Sequence, residues 1–253
     1  MKKILERFSL AGKNALVTGA GQGLGKAFAM GLAEAGANVA TADIRAESAA
    51  RTADEIKALG RQSLAIAADI SLEEDVLGMI RHCTEHFGKL DIAVNNAGFA
   101  IPIAPVSEVS FAAWQRQMAV NLNGTFLCTK YAAESMKPHG YGKIINIASM
   151  CGHIVWPEPQ AAYSVSKAGV IHLTKCLAAE YIKFGIRINC ISPGVTQVEG
   201  LFSEVIDVFL KKAPLGRVGS PADHQGAVLF LASEVSDFMV GQELIIDGGY
   251  TLI

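Results

Sequence analysis

Thr18-Gly19-Ala20-Gly21-Gln22-Gly23-Leu24-Gly25 decides the architecture of this chain. Residues 14–18 before it form a short apolar run with Ala-Leu-Val at its centre, the signature of a buried strand. A helical pattern follows to about residue 35 and is closed by Gly36. Gly19, Gly23 and Gly25 therefore lie in a strand-to-helix turn, where glycine permits a tight bend and lets backbone approach a pyrophosphate. The free N–H groups and the positive dipole end at the helix start suit an anion, and Gly21, Gln22 and Leu24 share that turn. A second strand, residues 38–44, places Asp43 at its tip, 18 residues after Gly25. This is where the adenosine ribose of a dinucleotide would lie. A carboxylate there accepts hydrogen bonds from both ribose hydroxyls and repels a 2′-phosphate. Neither Gln22 nor the neighbouring Ile44 is basic; Arg45 is the one dissenting residue. The expected cofactor is NAD(H) rather than NADP(H).

The same alternation runs outward to both ends. Further strands are expected at 63–68, 90–94, 143–148, 187–191 and 243–246, and further helices at 47–59, 72–87, 111 to about 136, 161–184, 201–212 and 222–231. Strands alternating with helices imply an α/β fold: a mostly parallel, doubly wound sheet covered on both faces. No linker or repeat interrupts it, so residues 1–253 read as a single domain.

Bulk properties narrow the function. A composition 51% hydrophobic and 18% charged suits a buried α/β core. The net charge of -2 provides no basic footprint for nucleic acid. The apolar runs are too short for a bilayer, and the start of the chain has no signal-peptide pattern, so the expected location is cytoplasmic. Cys83, Cys128, Cys151, Cys176 and Cys190 are scattered and read as reduced, mostly buried thiols. His82 and His86 have the spacing of a metal pair but no evident third ligand, and no metal is expected.

Within the helix expected at 161–184, Tyr163 and Lys167 are four residues apart and share a face. A tyrosine that serves as a base near neutrality must lose its proton roughly 3 units below its usual pKa, about 4 kcal/mol. One cation at about 4 Å supplies that much at an effective dielectric near 20. A Tyr-x-x-x-Lys face can thus carry a tuned proton acceptor.

The accumulated motifs resemble the short-chain dehydrogenase/reductase family over essentially the whole chain. They are Thr18-Gly19-x-x-x-Gly23-x-Gly25, Asp69, Asn95-Asn96-Ala97-Gly98, Asn121 in Asn-Leu-Asn-Gly, Ser149, Tyr163-x-x-x-Lys167, Pro193-Gly194 and Asp247-Gly248-Gly249. The resemblance implies a Rossmann fold and an oxidoreductase. Ser149 would hydrogen-bond the substrate oxygen and Tyr163 would exchange its proton. Lys167 would lower the Tyr163 pKa and bind the nicotinamide ribose, and Asn121 would hold a water in a proton relay behind it. Asp69 and Ile70 would contact adenine. Asn95, Ala97 and Gly98 would line the middle of the cofactor, and Pro193, Gly194, Val195 and Thr196 the nicotinamide. The family often has Thr or Ser five residues after that proline. Here the position is Val198, so either Thr196 supplies the hydroxyl or the loop takes another course.

Specificity is expected from the loop 149–162 and from a lid at about 195–215. Ser149-Met150-Cys151-Gly152-His153-Ile154 resembles the polyol dehydrogenase and ketose reductase branch, with Cys151 in place of a serine. Cys151, His153, Glu158 and Gln160 are candidate partners for sugar hydroxyls, beside Ser149 and Tyr163. The lid has an apolar side of Leu201, Phe202, Val205 and Phe209. The expected substrate is a small-molecule alcohol or ketone, foremost a sugar alcohol and its ketose. Reduction of a β-ketoacyl thioester is the alternative, and a nucleotide-sensing scaffold the non-enzymatic one. Similar proteins pack their long helices against partner subunits, which implies a homotetramer or homodimer.

Overall fold

The computed structural model describes residues 3–201 and 203–253. Among the described residues seven strands form one parallel sheet: β1 (Asn14–Thr18), β2 (Asn38–Asp43), β3 (Ser63–Ala67), β4 (Ile92–Asn95), β5 (Gly142–Ile147), β6 (Ile186–Pro193) and β7 (Glu243–Ile246). Their spatial order is β3-β2-β1-β4-β5-β6-β7. The chain winds outward from β1 to β3, then crosses back to β4 on the other side of β1. Ligands of such sheets bind outside the carboxyl ends of the strands where the winding reverses. Here those ends are Thr18 and Asn95, each followed by one of the two glycine-bearing segments.

Among the described residues eight α-helices cover the sheet: α1 (Gly23–Glu34), α2 (Ala46–Ala58), α3 (Glu73–Phe87), α4 (Phe111–Met118), α5 (Thr125–Met136), α6 (Ala161–Tyr181), α7 (Ser203–Leu210) and α8 (Pro221–Ala232). Alternate residues of β1 separate two cores, as a pleated strand requires. Leu16 joins Cys128, Ala132 and Met136 of α5 and Leu177 and Tyr181 of α6. Ala15 and Val17 join Phe28 and Leu32 of α1 and Val228 and Leu231 of α8. All five residues of β1 are buried, which explains why the strand reads as a continuous apolar run rather than an alternating one.

The expected helix at 111–136 is interrupted. Residues Ala119–Gly124 form a π-helical segment between α4 and α5, and Asn121 lies in it, fully buried. Such a bulge shifts the helical register and re-aims side chains, and it leaves no mark in apolar periodicity. The lid helix α7 is shorter than expected and buries Phe209. Phe202, assigned to the same apolar side, lies outside the described residues. Cys176 is exposed and the other four cysteines are buried. Among the described residues no helix is long and apolar enough to cross a membrane, and no cluster of His, Cys, Asp and Glu is arranged to hold a metal ion.

Candidate functional site

The turn after β1 is built so that only glycine fits. Gly19 has φ +63° and Gly23 has φ +55°, in the left-handed region. A Cβ on Gly25 would lie 2.1 Å from the Gly19 carbonyl oxygen, and one on Gly21 would lie 2.7 Å from Asp43 Oδ2. Helix α1 has no carboxylate in its first turn, whereas α3 has Glu73, Glu74 and Asp75 there. The first turn of α1 thus supplies no carboxylate of its own to the amides at its start, which suits a pyrophosphate. Gln22 and Leu24 flank these glycines. Asn96 locks the turn from across the crevice: its Nδ2 donates to the carbonyls of Thr18 (3.0 Å) and Gly19 (3.3 Å). The N–H groups of Asn96 and Ala97 donate to the Thr18 hydroxyl at 3.0 and 3.1 Å.

At the tip of β2, Asp43 accepts from the backbone N–H groups of Gly21 and Arg45, each at 3.0 Å. Arg45 Nε stands 3.7 Å from the same carboxylate, so the dissenting cation is partnered by Asp43 itself. Ile44 is 66% exposed and offers an apolar surface beside it. Asp69 accepts from the N–H and hydroxyl of Ser71. Ile70 is buried against Gly124, where a Cβ would come within 2.8 Å of its Cδ1. The glycine cradle, the free helix start and the carboxylate together fit a dinucleotide.

Asn95 departs from its expected role. Its amide is committed inside the core, donating to Asn146 Oδ1 (2.8 Å) and Thr129 Oγ1 (3.0 Å). A buried amide must satisfy its donors internally, and β4 turns this side chain toward α5. Gly98 instead marks the middle of the crevice: a Cβ there would lie 3.2 Å from Asn121 Oδ1 and 3.6 Å from Lys167 Nζ.

Ser149 follows β5 and is buried; its hydroxyl accepts from the Cys151 N–H at 3.2 Å. Tyr163 and Lys167 project from α6. Lys167 Nζ donates to the Ile147 carbonyl at 2.9 Å and stands 5.7 Å from the centre of the Tyr163 ring. The Lys167 ammonium thus donates to a backbone carbonyl within reach of the Tyr163 ring. Burial pushes Tyr163 up to about 12, against a smaller opposing effect of its hydrogen bond with Ser149. Burial likewise pushes Lys167 down to about 8.

Because its folded pKa is below its unfolded one, the unfolded chain binds more protons between about pH 8 and 10.5. Lys167 therefore opposes folding fully below pH 8, by at most on the order of 3 kcal/mol, and stability recovers as pH rises through that window. Lys167→Met is expected to raise Tm at pH 7 while removing turnover, and to flatten the rise in Tm between pH 8 and 10. Equal pH profiles of Tm for variant and wild type would refute this.

Asn121 is held through its side-chain amide. Its Nδ2 donates to the Phe99 carbonyl (2.8 Å) and Ser166 Oγ (3.2 Å), and its Oδ1 accepts from the Phe99 N–H (3.0 Å). The side chain thus ties the segment after β4 to α6. Gln117, fully buried, repeats the contact one turn earlier, donating to the Phe99 carbonyl at 3.1 Å and accepting from the Ile101 N–H at 3.3 Å. The i, i+4 pairing of Gln117 with Asn121 was the only sequence signal for this clamp.

In the loop after β6, Gly194 donates to the Ile246 carbonyl at 2.8 Å, and a Cβ on it would strike Asp247 at 2.7 Å. Val195 packs among the residues around Tyr163. The Thr196 hydroxyl is buried, 2.8 Å from His224 Nε2 and 3.0 Å from the Gly194 carbonyl it donates to. It is occupied internally, and Val198 lies over Gly23 of the first turn.

The substrate loop converges on Cys151. Its sulfur accepts from Gln160 Nε2 at 3.3 Å, and burial pushes its thiol pKa up. His153, a candidate for substrate hydroxyls, reaches instead to the sheet edge, 2.6 Å from Glu243 Oε1, which also pairs with Ser192. A partner 90 residues away could not be read from the sequence. Beside Tyr163 opens a cavity of about 350 Å³. Its lining includes Ile101, Val106, Trp114, Ile154 and Trp156, together with Glu158 and Gln160.

A family model described as Enoyl-(Acyl carrier protein) reductase matches residues 19–251. The chain is 38% identical over 248 residues to cis-4-hydroxycyclohexanecarboxylate dehydrogenase of Sinomonas cyclohexanicum, covering 97% of this chain and 99% of that one. It is 37% identical over 249 residues to D-threitol dehydrogenase of Mycolicibacterium smegmatis, covering 97% and 95%. Among solved structures, a short-chain type dehydrogenase/reductase from Mycobacterium marinum superposes with a TM-score of 0.96 at 40% identity, covering 99% of this chain and all of the other.

Proposed function

The chain belongs to the short-chain dehydrogenase/reductase family, and from that premise we propose that it is an NAD(H)-dependent enzyme interconverting a secondary alcohol and a ketone, foremost a sugar alcohol and its ketose. The observation that carries this reading is the placement of Ser149, Tyr163 and Lys167 at the carboxyl end of the sheet, beside the glycine cradle. A nicotinamide, when bound, would supply the hydride chemistry, and the protein's own part is to position the reactants and move the proton.

In oxidation Tyr163 accepts the hydroxyl proton while the Ser149 hydroxyl steadies the developing alkoxide. Lys167, close to Gly98 and held by the Ile147 carbonyl, faces the ribose and supplies the positive charge of the site. Asn121 and Gln117 fix the segment that passes between them. Asp43 would hold the adenosine ribose, Asp69 and Ile70 would flank the adenine, and Gly194 and Val195 would border the nicotinamide.

The polyol reading rests on the Ser149–Gln160 loop and agrees with the likeness to a threitol dehydrogenase. The largely apolar wall of Ile101, Val106, Trp114, Ile154 and Trp156 favours a second reading, a ring alcohol with few oxygens, in line with the cyclohexane-acting relative. The purified protein assayed with NAD against polyols and cyclohexanols, and with NADH against acetoacetyl thioesters, separates the readings. Turnover of polyols or ring alcohols is expected; turnover confined to thioesters would defeat both.

A further inference from the structure

The cavity beside Tyr163 is walled by two segments far apart in the chain, residues 101–109 after β4 and the loop 154–160. They are tied together where the Ala104 N–H donates to the Pro159 carbonyl at 3.3 Å. Between Pro157 and Pro159 stands Glu158. Proline has a fixed φ, and a residue that precedes proline is pushed to extended backbone, so Glu158 is carried on a stiff stretch.

Among the described residues that line the cavity, Glu158 alone is charged. It is exposed, and among the described residues it has no hydrogen bond or ion pair. The amide two positions on is not free in that way, because Gln160 Nε2 donates to the Cys151 sulfur. The remaining wall is largely apolar and includes two indoles, Trp114 and Trp156. Low-dielectric walls focus the field of a carboxylate into the hollow they enclose, and no lining cation offsets it. An indole face also attracts a cation.

We propose that Glu158 sets the charge of the substrate: the cavity takes neutral and ammonium-bearing alcohols and ketones and rejects those that carry a carboxylate or phosphate. An amino alcohol fits it best, with the ammonium toward Glu158 and the carbon skeleton on the apolar wall. The inference rests on the alcohol oxidation proposed above and states which members of that class enter.

The neutral alcohol turned over in the assay above is set against its own amine and acid. For sorbitol these are 1-amino-1-deoxysorbitol and gluconate; for cyclohexanol they are 4-aminocyclohexanol and 4-hydroxycyclohexanecarboxylate. At pH 7 the amine is a cation and the acid an anion. KM is expected to be lowest for the amine and highest for the carboxylate, with about tenfold or more between these extremes. In 0.5 M NaCl the spread should shrink, because screening then acts within roughly 4 Å. Glu158→Gln should bring the three KM values together, and Glu158→Arg should reverse their order. Both changes fall on an exposed side chain without a partner, so Tm should hold; the salt series on the wild type needs neither variant. A spread that is absent, reversed or indifferent to salt in the wild type, or one retained in E158R, would overturn the role of Glu158 alone. Turnover of no alcohol with either dinucleotide would overturn the oxidoreductase reading, and this inference with it.

Discussion

Tyr163→Phe is expected to lower kcat roughly 10³-fold, the scale of a lost general acid–base group, with NADH binding and Tm nearly unchanged. The substitution removes one oxygen and leaves the packing of the ring on the Met150 and Trp156 cluster. The pH dependence is the sharper test. In the protein alone Tyr163 holds its proton to about pH 12, because burial opposes the phenolate and Lys167 is engaged by the Ile147 carbonyl. A second positive charge beside the hydroxyl is needed to bring the phenol into the working range, and an oxidised nicotinamide is cationic. Phenolate absorbance should therefore show Tyr163 ionising at markedly lower pH with NAD+ bound than without it. The signal should vanish in Y163F. Identical titrations with and without NAD+ would remove Tyr163 from its place as the base, as would unimpaired turnover by the variant.

The second large effect concerns cofactor choice. The wild type is expected to prefer NADH over NADPH by about a hundredfold or more in kcat/KM, roughly 3 kcal/mol of discrimination. The reason is local charge. The Asp43 carboxylate is 8% exposed and fixed by the Gly21 and Arg45 amides, and on the NAD(H) reading proposed above it would repel a 2′-phosphate. Arg45 does not reverse this, because its guanidinium is paired with that carboxylate and is itself half exposed. Asp43→Ser should lower the NADH preference at least about tenfold by removing the repulsion and freeing Arg45 to meet the phosphate. A wild type that uses NADPH better, or a selectivity indifferent to Asp43, would contradict the assignment. The same carboxylate explains Gly21: any side chain there would collide with Asp43 Oδ2, so turn and selectivity device are one unit.

The sequence by itself determined the winding of the sheet, the position of the glycine turn and the sharing of a helix face by Tyr163 and Lys167. These are local properties: left-handed glycines, apolar runs and i, i+4 spacing are set by neighbours in the chain. What side chains do with distant partners was decided only by the tertiary structure. Asn95 went to Asn146 in the core, His153 to Glu243 at the sheet edge, and Thr196 to His224 on α8. The π-helical turn at Asn121 and the stacking of Tyr250 between Phe209 and Trp156 belong to the same class. Periodicity reports which face a residue occupies, but a hydrogen-bond partner 28 to 90 residues away is fixed by packing.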